Sequence, residues 1–200
     1  MNQPHQGWKP ALLHPLPVPT QPWQVILWDL IGLLSDSAGY DMILVIKDYF
    51  IKSVIICPTQ QELTAQGAAM ILLEHVYANY GLLEKVVSDC RGQFMSKFMQ
   101  EVYWVLGIQT AASTAYHPQM DSHTERANHE VEVLLQALIK EDQSNWVAML
   151  PLVQFTLNNQ SIWNSDITPF RALHGYEPTP IPELTLREQV LEANRFLSDL

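Results

Sequence analysis

Residues 113–130 read STAYHPQMDSHTERANHE. Small polar residues close an apolar run, His117, Pro118 and Asp121 mark a loop, and the chain then enters a helical start, TERANHEVEVLLQAL. Ala127, Val131, Leu134, Leu135 and Leu138 recur with the 3.6-residue period of one helix face, and Glu125, Asn128, His129, Glu132 and Gln136 fall on the other. Glu125 is therefore expected in the first helical turn, directly after a loop and on the polar side. That position admits two readings. Ser122 to Glu125 matches an S-x-x-E capping box, in which the glutamate bonds the backbone of the cap residue. Alternatively, Glu125 is a carboxylate held rigidly for chemistry. In the same way, Asp121 and the His117-Pro118 pair are equally well explained as turn formers.

Upstream, short apolar runs alternate with turn-like separators. VILWDLI from Val25, MILVIKD from Met42 and SVIICPT from Ser53 predict an antiparallel meander of three strands. Asp29 interrupts the first run, where a lone acid is ordinarily an outward-facing residue. Thr64 to Tyr80 has helical spacing, with Gly81 placed to stop it. A short buried strand, VVS, then runs into Asp89. Phe94 to Leu106 predicts a second helix ended by Gly107, and Ile108 to Ala112 a fifth strand. Further helices are expected over Asn145–Asn158 and Thr168–Gly175, the latter opened by Thr168-Pro169. The resulting class is α/β, a five-stranded mixed sheet flanked by helices. Met1 to Trp23 is rich in proline, which fixes extended backbone and removes donors, so 1–22 is read as a linker or surface strap. Residues 23–182 form the core domain, and 183–200 a helical extension.

Composition narrows the classes. Of 200 residues, 48% are hydrophobic, ample for a packed core and unlike a disordered chain. No apolar run approaches the roughly 18 residues of a membrane span, and the N-terminus lacks a signal pattern, so an intracellular setting is expected. Cys57 and Cys90 alone cannot build a disulfide framework or zinc cluster, and buried structural thiols are the default. His5 and His14 have no cysteine partners at zinc-finger spacing. The formal charge is −10, an unusual balance for a protein that handles nucleic acid, since phosphate binding ordinarily shows as a basic surface. Either the substrate is not nucleic acid, or metal ions and parts beyond this chain supply the positive charge.

Asp29, Asp89 and Glu125 are an acid within a strand, one at a strand end and one at a helix start. Such a set suits phosphoryl transfer, in which two divalent ions about 3.5–4 Å apart activate the attacking oxygen and stabilise the leaving one. The protein need supply only oxygen ligands, and Mg2+ (or Mn2+) prefers carboxylates. Without the cation, clustered carboxylates would repel one another.

The segments PWQVILWDLIG, GYDMILVIKDYFIKS, VVSDCRGQF, STAYHPQMDSHTERANHEVE, NWVAMLPLVQFTLNNQ and TPFRALHGYEP together resemble the integrase catalytic core of gypsy-type long-terminal-repeat retrotransposons, relatives of retroviral integrases. The resemblance covers roughly residues 10–180. It implies a ribonuclease H-like fold and an Asp, Asp, Glu triad that binds metal and catalyses, carried here by Asp29, Asp89 and Glu125. It also implies 3′-processing and strand transfer of element DNA into a host chromosome. The partners would be element DNA ends, host target DNA and further copies of the chain, as a dimer or larger, with no small-molecule substrate and no membrane. The setting would be the nucleus, after a cytoplasmic stage before import. Tyr116, His117, Pro118 and Gln119 match the family's motif before the last acid, and Thr124 to Asn128 match its Thr-Glu-Arg-x-Asn. Tyr116, His117, Gln119 and Asn128 are thereby candidate nucleic-acid contacts. Arg91, Lys97 and Arg126 join them as the only Arg or Lys between Val86 and Glu130.

The chain also departs from the family pattern. Cys90-Arg91-Gly92-Gln93-Phe94 stands where Arg-Gly-Pro-Gln-Phe is usual, and Met120, Ser122 and His123 replace three residues of Thr-Asp-Gly-Gln-Thr-Glu. A serine in place of that glycine stiffens the loop. The family's His/Cys zinc module and basic C-terminal domain have no counterpart here, which would account for the acidity. The competing expectation is a catalytically impaired, integrase-derived module that binds DNA or dimerises, from a decaying or domesticated copy.

Overall fold

Buried on both faces, an interior strand must be apolar at nearly every position, and VILWDLI meets that demand. It forms β1 (Val25–Ile31), paired antiparallel with β2 (Met42–Asp48) and parallel with β4 (Lys85–Ser88). β2 pairs antiparallel with β3 (Val54–Thr59), giving the order β3-β2-β1-β4. The computed structural model describes residues 19–32, 34–88, 92–105, 121–138, 145–162 and 165–179, except the side chains of 92–95, 121–127 and 137–138. The three-strand meander is as expected, and the sheet is mixed. The described residues hold four strands, and the fifth expected strand, 108–112, lies outside them. The expected extension over 183–200 lies outside them too.

Helices cover both faces. On one, Ile26, Trp28, Leu44 and Ile46 pack with Ala68, Ala69 and Leu72 of α1 (Ala65–Leu72) and with Phe98 and Val102 of α3 (Gly92–Val105). On the other, Ile31, Ile43, Val45 and Ile56 pack with Val131, Leu134 and Leu135 of α4 (Asp121–Leu138). Trp146, Leu150 and Val153 of α5 (Trp146–Asn158) complete that layer. Thr64 caps α1 through a bond from the Gly67 N–H (3.0 Å), and Thr168 caps α6 (Pro169–His174) through one from the Arg171 N–H (3.0 Å). The single helix expected over 64–80 is α1, a five-residue π-helical stretch (Leu73–Tyr77) and α2 (Ala78–Tyr80), ended by Gly81 at φ +84°. No helix among the described residues is long and apolar enough to cross a membrane.

Three features run beyond the sequence reading. Trp23, the first residue of the expected core domain, is anchored more firmly than its proline-rich flank suggests: it is 2% exposed and stacks on Tyr80 at 4.3 Å. Its backbone N–H donates to Asp48 Oδ1 (2.7 Å), while the Ile51 N–H donates to Oδ2 (2.5 Å). Asp48, fully buried, thus ties the entering chain to the β2–β3 turn. The third feature is the outer edge of β3. Asn158 accepts from the Val54 N–H (2.8 Å) and donates to the Val54 carbonyl (2.9 Å), Gln154 accepts from the Ile56 N–H (2.8 Å), and Pro58 has no N–H to offer. Two amides one helical turn apart on α5 therefore replace a neighbouring strand, which blunts an edge that would otherwise template pairing.

Replacing Asn158 with leucine leaves the Val54 N–H and C=O without these partners. Urea unfolding should show a loss of about 1–3 kcal/mol, with greater aggregation near the midpoint. A second expectation concerns pH. Desolvation raises the Asp48 pKa above the ordinary 3.8, outweighing the Ile51, Trp23 and Phe50 N–H groups and the Lys52 charge. Between 3.8 and that raised value the folded state holds a proton that the unfolded state has lost, so this group's contribution to stability falls as pH rises through the window. Asp48→Asn has no such titration. The stability of the parent relative to this variant should therefore decline with rising pH from about 4 and level off above the raised pKa, as read from urea midpoints across pH.

Candidate metal and nucleic-acid site

Strand register builds the site. Asp29 stands opposite Val45 on β2, and Val45 and Ile31 both belong to the face covered by α4 and α5, so the half-buried Asp29 side chain lies on that face. Its carboxylate is held from two sides. The Leu30 N–H donates to Oδ1 (2.8 Å), and the Asn128 side-chain amide on α4 donates to Oδ2 (2.5 Å). A second polar link joins the same helix to the sheet, Lys47 Nζ to Glu130 Oε2 at 3.9 Å. The fold therefore seats the helix that carries Glu125 directly over the strand that carries Asp29.

On the other side of β1, the parallel ladder sets Val87 beside Leu27 and Ser88 beside Trp28. Asp29 and Asp89 are the next residues in sequence after the last of these pairs. Asp89, Arg91, Tyr116, His117 and Gln119 lie outside the described residues. Glu125 and Arg126 have their backbone in α4, with their side chains outside what is described, and Lys97 is exposed on α3.

Two expectations about α4 change. The helix begins at Asp121, not Thr124, so Ser122 already has helical backbone and cannot act as the N-cap of an S-x-x-E box, a role that requires a non-helical residue. Glu125 accordingly falls in the second turn. An aspartate at the first helical position interacts favourably with the positive end of the helix dipole, which suits the earlier start. In addition, the polar side of α4 is not uniformly solvated. His129, Glu132 and Gln136 are exposed, whereas Asn128 is half-buried against Asp29. The sequence reading missed its role toward Asp29, although one signal existed: Asn128 is three residues from Glu125, and such pairs are neighbours on a helix surface.

The donors fit a hard divalent cation. Asp29 offers carboxylate oxygens, and beside it the Asn128 Oδ1 is buried with no hydrogen-bond partner among the described residues. An orphaned hard oxygen next to an anchored carboxylate suits the hydration shell that Mg2+ retains. Among the described residues no three His, Cys, Asp or Glu side chains gather to hold a metal, a set that does not include the carboxylates of Asp89 and Glu125. Cys57 is unsuited to chemistry: burial pushes its thiol up to about 12, so it stays protonated at neutral pH. Two grooves lie at the β3 edge, and Asp29 lines neither. One of about 490 Å³ is lined by residues including Pro58, His75, Tyr80 and Gln154, the other by residues including Phe155 and Phe170.

No protein-family model matches the chain. Over 170 residues, 85% of its length, it is 31% identical to the Transposon Tf2-3 polyprotein of Schizosaccharomyces pombe, and equally to the Tf2-4 polyprotein. The chain spans about 13% of the length of these relatives. Its fold is similar to a chain of the simian T-cell lymphotropic virus intasome in complex with PP2A regulatory subunit B56 gamma. That match has a TM-score of 0.59 and 21% identity, covering 84% of this chain and 60% of the other. It is also similar to the HTLV-2 integrase catalytic core domain in complex with magnesium, with a TM-score of 0.53 and 18% identity over 72% of this chain and 91% of the other. Over most of its length the chain is thus similar in sequence to a segment of the Tf2 transposon polyproteins, and its ribonuclease H-like fold is that of the retroviral integrase catalytic cores.

Proposed function

We propose that this domain serves DNA integration by metal-dependent 3′-processing and strand transfer of retrotransposon DNA, with Asp29, Asp89 and Glu125 as ligands for Mg2+ or Mn2+. The observation that carries the reading is the bond from Asn128 to Asp29. It brings the helix of the third acid onto the strand of the first, and Asn128 is one helical turn from Glu125. The parallel pairing of β4 with β1 leads toward the second acid from the neighbouring strand. The magnesium in the HTLV-2 core is consistent with the same cation here.

When bound, the cation supplies charge neutralisation at the phosphorus and activates the attacking oxygen. The chain's own residues position and shield. Leu30 and Asn128 orient the Asp29 carboxylate, and the apolar packing of α4 on β1 and β2 keeps the helix in place. Arg91, Lys97 and Arg126 would neutralise phosphates, while Tyr116, His117 and Gln119 would contact the DNA end. Element ends and chromosomal DNA are the partners, the nucleus is the place of action, and the working form is a homo-oligomer, as the trimeric and dimeric forms of the HTLV-2 core suggest by analogy. The second reading, a catalytically impaired DNA-binding or dimerisation module, is favoured by Cys90 to Gly92 and Met120 to His123, because small misplacements beside reacting groups cost orders of magnitude in rate.

A strand-transfer assay on duplex oligonucleotides, with Mg2+ and with Mn2+, separates these readings. The parent chain should join ends, whereas Asp29→Asn, Asp89→Asn and Glu125→Gln should each lose joining and the metal-induced rise in melting temperature. DNA binding without joining in either metal would favour the second reading. Unchanged metal stabilisation in all three variants would mean that the acids do not form one site. With a net charge of −10, binding to DNA should also weaken steeply with salt. Lys97→Ala should reduce the slope of log affinity against log salt by about 1, measured by fluorescence anisotropy.

A further inference from the structure

We infer that the two grooves at the β3 edge form one trough that binds the proline-rich segment 10–19 of the same chain. They share Ile55, Tyr80, Pro151 and Gln154, so they are continuous, with volumes of about 490 and 280 Å³. Leu150 and Pro151 of α5 form one wall, and His75, Asn79 and Tyr80, from the π-helical stretch and α2, form the other. Phe155 and Phe170 add two more rings. Aromatic-lined grooves of this kind receive polyproline II segments, whose backbone is already extended and loses little entropy on docking. Gln154 accepts the Ile56 N–H with Oε1 (2.8 Å), which turns its Nε2 away from β3 as a donor for peptide carbonyls.

Where the chain enters the domain identifies the occupant. Residues 1–18 lie outside the described residues, but Pro19 is buried and Trp23 stacks on Tyr80, which lines both grooves. The segment before Pro19 therefore starts within a few residues of the trough. Charge matches as well. Among the described residues that line the trough there is no Asp, Glu, Lys or Arg, and residues 10–22, PALLHPLPVPTQP, contain none either. The segment at the other end of the chain, 183–200, carries charges from Glu183 to Asp199 and would leave them unpaired in such a trough. Length fits too: from Ser53 to Pro58 the floor runs about 17 Å at roughly 3.3 Å per residue, and 10–19 in polyproline II form spans about 28 Å at roughly 3.1 Å per residue. Pro15, Pro17 and Pro19 have no N–H and cannot add a strand to β3. They suit an edge whose Val54 and Ile56 N–H groups are already taken by Asn158 and Gln154.

The test is binding of a labelled synthetic peptide, PALLHPLPVP, to the full chain, followed by fluorescence anisotropy at several protein concentrations. It compares the parent with the double variant Leu12→Asp/Leu16→Asp, and with that variant carrying Pro151→Glu or His75→Glu. A tethered segment acts at an effective concentration in the millimolar range, and a groove closed about nine-tenths of the time weakens apparent affinity for a competitor about tenfold. The double variant should therefore bind the peptide at least about tenfold more tightly than the parent, at every protein concentration. Pro151 is exposed, so Pro151→Glu brings a charge into the neutral trough and should remove that binding. Should this variant fail to fold, His75→Glu on the opposite wall carries the comparison. Equal affinity of the parent and the double variant, or binding by neither, would overturn the proposal. Binding that survives both Pro151→Glu and His75→Glu would place the peptide elsewhere and overturn it too. If the parent's disadvantage disappears on dilution, a second copy covers the trough and docking within one chain is overturned.

Discussion

β1 has to be buried on both faces and still carry a carboxylate. Val25, Ile26, Leu27, Trp28 and Ile31 are buried, so the strand is fixed by packing on both sides. A charged group in such a strand is unfavourable unless it is hydrogen-bonded. The Leu30 N–H and the Asn128 amide meet that demand for Asp29, and the same requirement determines what sits above it. A helix of purely apolar face could cover β1 but could not satisfy the acid. A helix with an asparagine near one end of its apolar stripe can do both, and α4 is that helix.

The opposite face of the sheet supplies stiffness. Trp28 meets Phe98 at 5.0 Å between ring centroids, and α1 and α3 close over it. Because side chains alternate along a strand, Trp28 can anchor one face while its neighbour Asp29 is presented on the other. An acid placed by a packed strand is held more accurately than one on a loop, and accurate placement is what the proposed metal-dependent reaction would need. The buried Asp48 works in the same manner but for architecture. It collects backbone donors from the entering chain and from the turn after β2, and so anchors one end of the sheet.

The outer edge is managed by different means. Its groups are met by Asn158 and Gln154 from α5, so the far edge of the sheet is occupied by side chains rather than left to pair. The same helix contributes Trp146, Leu150 and Val153 to the core. One face of α5 thus builds the layer that supports α4, and another shields β3.

Sequence by itself determined the elements whose signals are local. The meander, the caps at Thr64 and Thr168, the stop at Gly81 and the apolar stripe of α4 all follow from periodicity and turn chemistry within a few residues, and the chain's motifs singled out the three acids as candidates. What it could not determine were choices made by distant partners. Whether Ser122 caps a helix or lies within it depends on where α4 begins. The partners that hold Trp23, Tyr80 and Asp48, are likewise invisible in the local sequence. The edge-capping roles of α5 are not encoded locally either: Gln154 and Asn158 look like ordinary polar positions on a helix until the N–H groups of Ile56 and Val54 on β3 are seen opposite them. Asn128 is the clearest case. Its spacing from Glu125 put it on the right side of the helix, but only the packing of α4 onto β1 brought its amide to Asp29, because a hydrogen bond across 99 residues is set by tertiary geometry and not by local pattern.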